Sequence, residues 1–319
     1  MTSASEMTTG QGATDLRAAG RLAPGPGAQS EAAARAAVMA ADAAARAAAV
    51  HIRAVTELND LDAVYRLYDG IWRPDPKNPP VTTELLRALT KAGNYVSGAF
   101  DGQDLIGACV GFFSAPAGTA MHSHIAGVAP TALGRSVGFA LKLHQRAWAI
   151  QHGVSEIAWT FDPLVSRNAY FNLAKLAAVS AEYLPNFYGG MNDRINGSGD
   201  TDRLLVRWHL HAADVVAACA GTAKLRSAVE ERSRGAAIAL ARSEDGRPVA
   251  GSLDAATLLV AVPPDVEALR AANPECAQQW RLATREVLAN VMADGGGVAG
   301  FDRAGWYIIT RHAASEEQS

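Results

Sequence analysis

The chain has 319 residues, and its 29 Lys and Arg against 32 Asp and Glu leave a formal net charge of -3. That balance argues against nucleic acid as a partner, because binding a phosphate backbone needs a basic surface. No uninterrupted apolar run approaches the roughly 18 residues that cross a bilayer, which argues against a membrane span. The three cysteines, Cys109, Cys219 and Cys276, stand far apart, as suits a reducing, cytoplasmic setting without a disulfide framework.

Met1 to Ser30 is polar and rich in Gly, Ala, Ser and Thr, and disorder is expected there. Glu31 to Val50 is alanine-rich, and the i, i+4 pairs Glu31/Arg35 and Asp42/Arg46 predict a helix. Its apolar face is mostly methyl groups, so the expectation is a solvated helix or one that faces a second copy in a homodimer. Ile52 to Val55 reads as a strand. Asn59 then caps a helix with Leu61, Val64, Leu67, Tyr68 and Ile71 at helical spacing, and Thr82 opens another that ends near Gly93.

Tyr95 to Phe100 and Leu105 to Phe113 are apolar strands joined by Asp101-Gly102, a dipeptide suited to a hairpin turn. His122 to Val128 is a further strand. A glycine-bearing turn then leads into a helix through Ile150, closed by Gly153. Ser155 to Phe161 is a strand stopped by Asp162-Pro163, followed by a helix from about Ser166 to Ala178 and a strand from Arg203 to His209. The predicted order is β-α-α-β-β-β-α-β-α-β.

The turn after the fourth strand carries the clearest chemical signal. In Gly127 to Leu143, GVAPTALGRSVGFALKL, two glycines allow a tight turn, and the free amides of the helix start favour an anion such as a pyrophosphate. The segment Val128-Ala129-Pro130-Thr131-Ala132-Leu133-Gly134-Arg135-Ser136-Val137-Gly138, set in this element order, resembles the phosphate-binding phrase of the GNAT superfamily of acyl-CoA N-acyltransferases. The family's Arg or Gln is Leu133 here and its middle glycine is Ser136, changes that leave the backbone donors in place. The resemblance covers roughly residues 51–210 and extends to Thr160–Ala178, which matches the family's next strand and helix. Together with the segment up to Trp208 it is similar to a bacterial subgroup with a C-terminal extension.

The resemblance implies a mixed α/β (α+β) central sheet flanked by helices. It also implies acetyl-CoA or another acyl-CoA such as succinyl-CoA as co-substrate, with a small-molecule amine, such as an amino acid, attacking the thioester directly. It places CoA against Val128, Leu133, Gly134, Arg135, Ser136, Val137, Gly138, Asn168 and Lys175, and gives the Val128 amide to the oxyanion. The family's tyrosine, which protonates the departing thiolate, is Leu173 here. Tyr170, three residues earlier on nearly the same helical face, is either its substitute or a core aromatic.

Spacing adds His122 and His124, two apart on one strand and therefore expected on one face together with Val128. A histidine titrates near neutrality and can relay the amine's proton; partly buried structural histidines, or a metal pair, are the competing readings. No further metal-ligand spacing occurs, so no metal is expected. Trp72-Arg73 suits a carboxylate-bearing substrate or is a surface arginine beside an interface tryptophan. Asp162 either meets substrate or ends its strand, and Asn186 to Asp202 is either a substrate lid or a surface loop.

After His209 a second unit begins. Ala212 to Val229 is helical in composition, Ala236 to Ala241 and Leu258 to Val262 are predicted strands, and Asn273-Pro274 opens a helix with Trp280, Ala283, Val287 and Val291 on one face. A short hairpin, Val298 to Phe301 and Trp306 to Thr310, ends it. Arg281 and Arg285 either bind an acid or lie in surface ion pairs. The expected division is 1–50, 51–210 and 211–319, with the last a C-terminal β-α-β extension. The competing function is a CoA-binding sensor or scaffold without transfer.

Overall fold

The computed structural model describes residues 26–74, 79–115, 118–189 and 199–311. Most of the polar segment expected to be disordered, and the middle of the expected lid, lie outside these residues. Helix α1 (Pro26–Ala47) comes first, followed by β1 (His51–Ala54), α2 (Leu58–Trp72) and α3 (Thr83–Lys91). Thr82 caps α3 as predicted, its hydroxyl accepting from the Leu85 amide. Strands β2 (Tyr95–Asp101), β3 (Asp104–Phe113) and β4 (Ala120–Val128) form a meander, and α4 (Val137–Gln151) leads to β5 (Glu156–Phe161). These bounds follow the sequence reading closely, except that Asn59 lies inside α2 rather than capping it: the N-cap is Glu57, whose side chain makes no cap hydrogen bond.

Two departures follow β5. The expected single helix is a short α5 (Ser166–Ala169) continued as a π-helical turn at Tyr170–Lys175. Strand β6 (Val179–Leu184), which the sequence reading omits, then precedes β7 (Arg203–His209). Its alternation is poor, with buried Tyr183 facing Asp202 through a hydrogen bond from its hydroxyl. The seven-stranded sheet has the order β1-β2-β3-β4-β5-β7-β6, and only β4 and β5 run parallel.

Close approach fixes the layers. A Cβ on Gly107 of β3 would stand 3.1 Å from side-chain atoms of both Leu141 and Val137, so the glycine lets α4 lie directly on the sheet. On the other face Trp72 presses on Gly127, where a Cβ would come within 2.6 Å of the indole. Between α2, α3 and the sheet sits a core of Leu61, Val64, Tyr68, Leu86, Val96 and Val110. Helix α1 departs from expectation: its alanine face packs on α4, with Ala37, Ala41 and Ala48 buried. Small side chains allow the two helices to approach closely, so the methyl face finds its partner within the same chain rather than on a second copy.

The C-terminal part is larger than the expected β-α-β piece. Helices α6 (Ala213–Cys219) and α7 (Ala228–Ser233) replace the single helical stretch. Strands β8 (Ala237–Arg242), β9 (Pro248–Ala250) and β10 (Thr257–Ala261) follow, then helices α8 (Val266–Ala272) and α9 (Pro274–Ala293), and the hairpin β11 (Gly297–Asp302) and β12 (Trp306–Thr310). They make a separate five-stranded sheet ordered β11-β12-β10-β8-β9. Asn273 caps α9 as predicted. One apolar core, including Leu141, Trp208, Val260, Trp280 and Tyr307, runs across residue 210 and joins the two sheets.

Candidate active site

Strands β4 and β5 pair only at Ala120–His122 with Glu156–Ala158 and then part. The splay opens a cleft of about 460 Å³ lined by Ser123 to Val128 of β4, Trp159 to Phe161 of β5, the turn and first half of α4, and the α5/π-helix segment. The cleft therefore sits where the sequence signal pointed. Its floor on the β4 side has a particular hydrogen-bonding state. Ala129 N–H donates to Ile106 O, and in an antiparallel ladder the pairing alternates, so the amides of Val128 and Ala126 point away from β3 into the splay.

A bulge decides which side chains go where. Gly111 pairs with Ser123 but Val110 pairs with Ile125, so His124 is the extra residue on β4. His122 and His124 share the α2/α3 face, their rings 6.3 Å apart and both near Phe112. Val128 packs with the α4 side. The expectation that all three share a face fails, because the bulge shifts the alternation by one. His124 lines the cleft and approaches Pro80 O at 3.4 Å. Burial, then the nearby charges of His124 and Lys142, lower the His122 imidazole to about 4.

Leu133, Gly134, Ser136, Val137 and Gly138 line the cleft, as do Asn168 and Lys175. Ser136 adopts φ +63° at the N-cap and supplies no side-chain cap, leaving the first amides of α4 for the cleft. Gly134 takes φ +84°, the left-handed conformation its turn requires. Arg135 turns away: its guanidinium meets Asp101 and the carbonyls of Ala48 and Ala49 at the end of α1. Its amide is engaged with Ala132 O.

Other expected positions are corrected. Tyr170 lies outside the cleft lining and packs against the core; the π-turn instead brings Phe171, Asn172 and Lys175 to the cleft. Trp72 stands behind β4 against Gly127, and Arg73 is an exposed left-handed C-cap of α2. Asp162 is buried, its carboxylate held by Arg281 and Arg270 and by the Leu164 amide, so substrate contact is replaced by a structural role. Arg285 pairs with Asp200 and Asp202. Arg167 lines the cleft and reaches Glu267 of α8. Among the described residues no group of three or more His, Cys, Asp or Glu is placed to hold a metal ion.

The sequence reading missed Lys142. It is buried on α4, with Nζ 3.1 Å from Ser123 Oγ, 2.7 Å from Gln145 Oε1 and 3.8 Å from the centroid of Trp159. Trp159 Nε1–H donates to Asn172, and Trp208 stands edge-on to Trp159. Burial lowers the Lys142 ammonium to about 8. A lysine inside the apolar run Phe139-Ala140-Leu141-Lys142-Leu143 was the available signal.

With the fourth and fifth strands parallel and splayed over a glycine turn, the part of the chain that holds the seven-stranded sheet has the mixed sheet flanked by helices that the resemblance implied. It is similar to an acetyltransferase of the GNAT family from Desulfovibrio desulfuricans (17% identity, TM-score 0.43), covering 51% of this chain and 99% of that one. It is also similar to the ribosomal-protein-S18-alanine N-acetyltransferase from Escherichia coli (15%, TM-score 0.40, covering 51% and 96%). A third similar structure is an acetyltransferase from Salmonella typhimurium solved with acetyl-CoA (15%, TM-score 0.40, covering 52% and 98%). No protein-family model and no curated protein sequence matches the chain.

Proposed function

We propose that the chain is an acyl-CoA-dependent N-acyltransferase whose acceptor is the amine of a small molecule. The observation that carries this reading is the splayed β4/β5 cleft, which ends at the uncapped start of α4 and presents two unpaired strand amides. The first-turn amides of α4, from Ser136 to Gly138, receive the pyrophosphate, and Lys175 adds a cation at the same opening. The amides of Ala126 and Val128 are the donors available to an acyl oxyanion. On the opposite face of β4, His124 and the uncharged His122 accept the proton of the attacking amine. The acceptor thus approaches from the α2/α3 side and the acyl-CoA from the α4/α5 side.

A second reading is a CoA-binding sensor. It is favoured by one observation: Leu173 is buried where the resemblance implies a tyrosine hydroxyl. The two readings separate in one experiment, calorimetric titration with CoA, acetyl-CoA and succinyl-CoA followed by free-thiol release on adding mixed amino acids. Binding with amine-dependent release is expected. Binding without release favours the sensor, and absence of binding to any thioester overturns both.

A further inference from the structure

Lys142 carries a charge to the closed end of the cleft. Its ammonium donates to Ser123 Oγ and to Gln145 Oε1, both neutral acceptors, and its remaining N–H lies over the face of Trp159. Among the described residues no carboxylate forms an ion pair with it. The nearby Cys109 thiol is pushed up by burial, so it keeps its proton and supplies no counter-charge. A buried cation without a counter-ion is costly, and an aromatic face offsets only part of that cost. The charge is therefore complete only with an anion from outside the chain.

Position decides which anion. The lysines and arginine among the described residues of the cleft lining are Lys142, Arg167 and Lys175, and no Asp or Glu stands among them. Arg167 and Lys175 are exposed, as suits phosphates, whereas Lys142 is buried and lies roughly 6–9 Å along α4 from the amides of Ser136 to Gly138. Its partner Ser123 is the first residue of β4 beyond the last β4/β5 pair, at the apex of the splay. From the Ala126 amide back to Ser123 the strand runs about 10 Å, which an acyl chain with roughly two or three methylenes spans when its carbonyl oxygen accepts from that amide and a distal carboxylate accepts from Nζ. An acetyl group ends short of it. The acceptor comes from the α2/α3 face across the sheet, so a carboxylate on Nζ belongs to the donor.

We propose that the acyl donor is a carboxylate-bearing thioester of the succinyl or glutaryl class, and that Lys142 is the specificity-determining residue that receives its distal carboxylate. The inference rests on the reading that this cleft holds an acyl-CoA. Ser123 and Gln145 hold the ammonium in place, and the N–H over Trp159 is the one that turns to the carboxylate. The ion pair forms inside the cleft, away from water, and fixes the far end of the acyl chain while the β4 amides hold its carbonyl. The amine then attacks that carbonyl directly. Neither Lys142 nor Ser123 exchanges a proton or a bond with the acyl group; their part is to select the donor and position it.

The test is calorimetry on the full chain with CoA, S-butyl-CoA and S-(carboxypropyl)-CoA, the last two being thioethers of matched length that cannot transfer their chains. The carboxypropyl ligand is expected to bind the wild type about 10–100-fold more tightly than the butyl ligand, the value of hydrogen bonds to a charged group. In Lys142→Met that preference should disappear. Equal affinities of the two thioethers for the wild type overturn the inference, and this comparison needs no variant, so it stands even where Lys142→Met fails to fold. A preference that persists in Lys142→Met places the carboxylate on another residue and likewise overturns it. In both cases the binding of CoA leaves the acyl-CoA reading intact. Failure of the wild type to bind CoA or either thioether overturns that reading, and the inference with it.

Discussion

Arg281 of α9 meets Asp162 at the end of β5 side-on, its two terminal nitrogens 2.8 and 2.7 Å from the two carboxylate oxygens. Both side chains are nearly inaccessible to solvent, and Arg270 joins the same carboxylate. The residue that ends the cleft-forming strand is therefore gripped by the C-terminal sheet's own helices.

Replacing Asp162 by Asn leaves two guanidinium groups without their counter-charge, and a loss of about 3–5 kcal/mol in urea denaturation is expected. Burial raises the Asp162 carboxyl, but the charge and hydrogen bonds of Arg281, then Arg270, outweigh it and hold the group well below its ordinary 3.8. A depressed carboxyl stabilises the fold above its unfolded value and loses that contribution as pH falls below it. The wild type should therefore lose more stability than Asp162→Asn between pH 4 and lower pH; parallel slopes would contradict this.

Lys142 should show the reverse dependence. Its ordinary value of 10.5 falls to about 8 on burial, so below about 8 the folded state carries the full cost of a buried charge. The cost is relieved as pH rises from about 8 towards 10.5, where the unfolded chain still holds its proton. Lys142→Met is expected to stabilise the protein by roughly 1–4 kcal/mol at pH 7 and by less at pH 10, read from thermal or denaturant melts. A gain that does not shrink with pH would show that the folded lysine keeps its proton up to pH 10, as the unfolded chain does.

Gly127 faces Trp72 so closely that a methyl group has no room. Gly127→Ala should cost about 1–3 kcal/mol by overpacking, and combining it with Trp72→Phe should recover part of that loss. Additive costs in the double variant would indicate that the indole is not the obstacle.

The histidines make a kinetic prediction. Because burial sets His122 at about 4, it remains a proton acceptor through the neutral range, and transfer should not decline as pH falls from 7 to 6 on its account. His122→Ala and His124→Ala should each lower kcat more than the KM for acyl-CoA. Unchanged transfer in both removes the pair from the reaction.

Much of the first sheet was legible because its signals are local: Thr82 as a cap, Asp101-Gly102 as a hairpin turn, and the glycine turn into α4. What escaped depends on contacts distant in sequence. Strand β6 ends its sheet, paired to β7 alone and met by the C-terminal part at Ser180, whose hydroxyl accepts from the Val298 amide, so its burial is set by contacts distant in sequence. The roles of Asp162, Arg281 and Arg285 are set by pairing across more than 80 residues, which no spacing rule reaches. The partner of α1 was equally hidden, since an alanine face does not declare what it will touch. Lys142 is the instructive case: its local signal was visible, but its meaning required Ser123, Gln145 and Trp159 around it.

The bulge at His124 has a consequence for the length of β4. Because His124 is the one extra residue, Ser123 and Ile125 already oppose the adjacent partners Gly111 and Val110. Deleting His124 would close the ladder into regular alternation and leave Met121, His122 and Ser123 on their present faces, whereas deleting a regularly paired residue of the strand would turn the side chains on one side of the gap over. The bulge is therefore the place where β4 can lose a residue with only the imidazole and the local bend at stake.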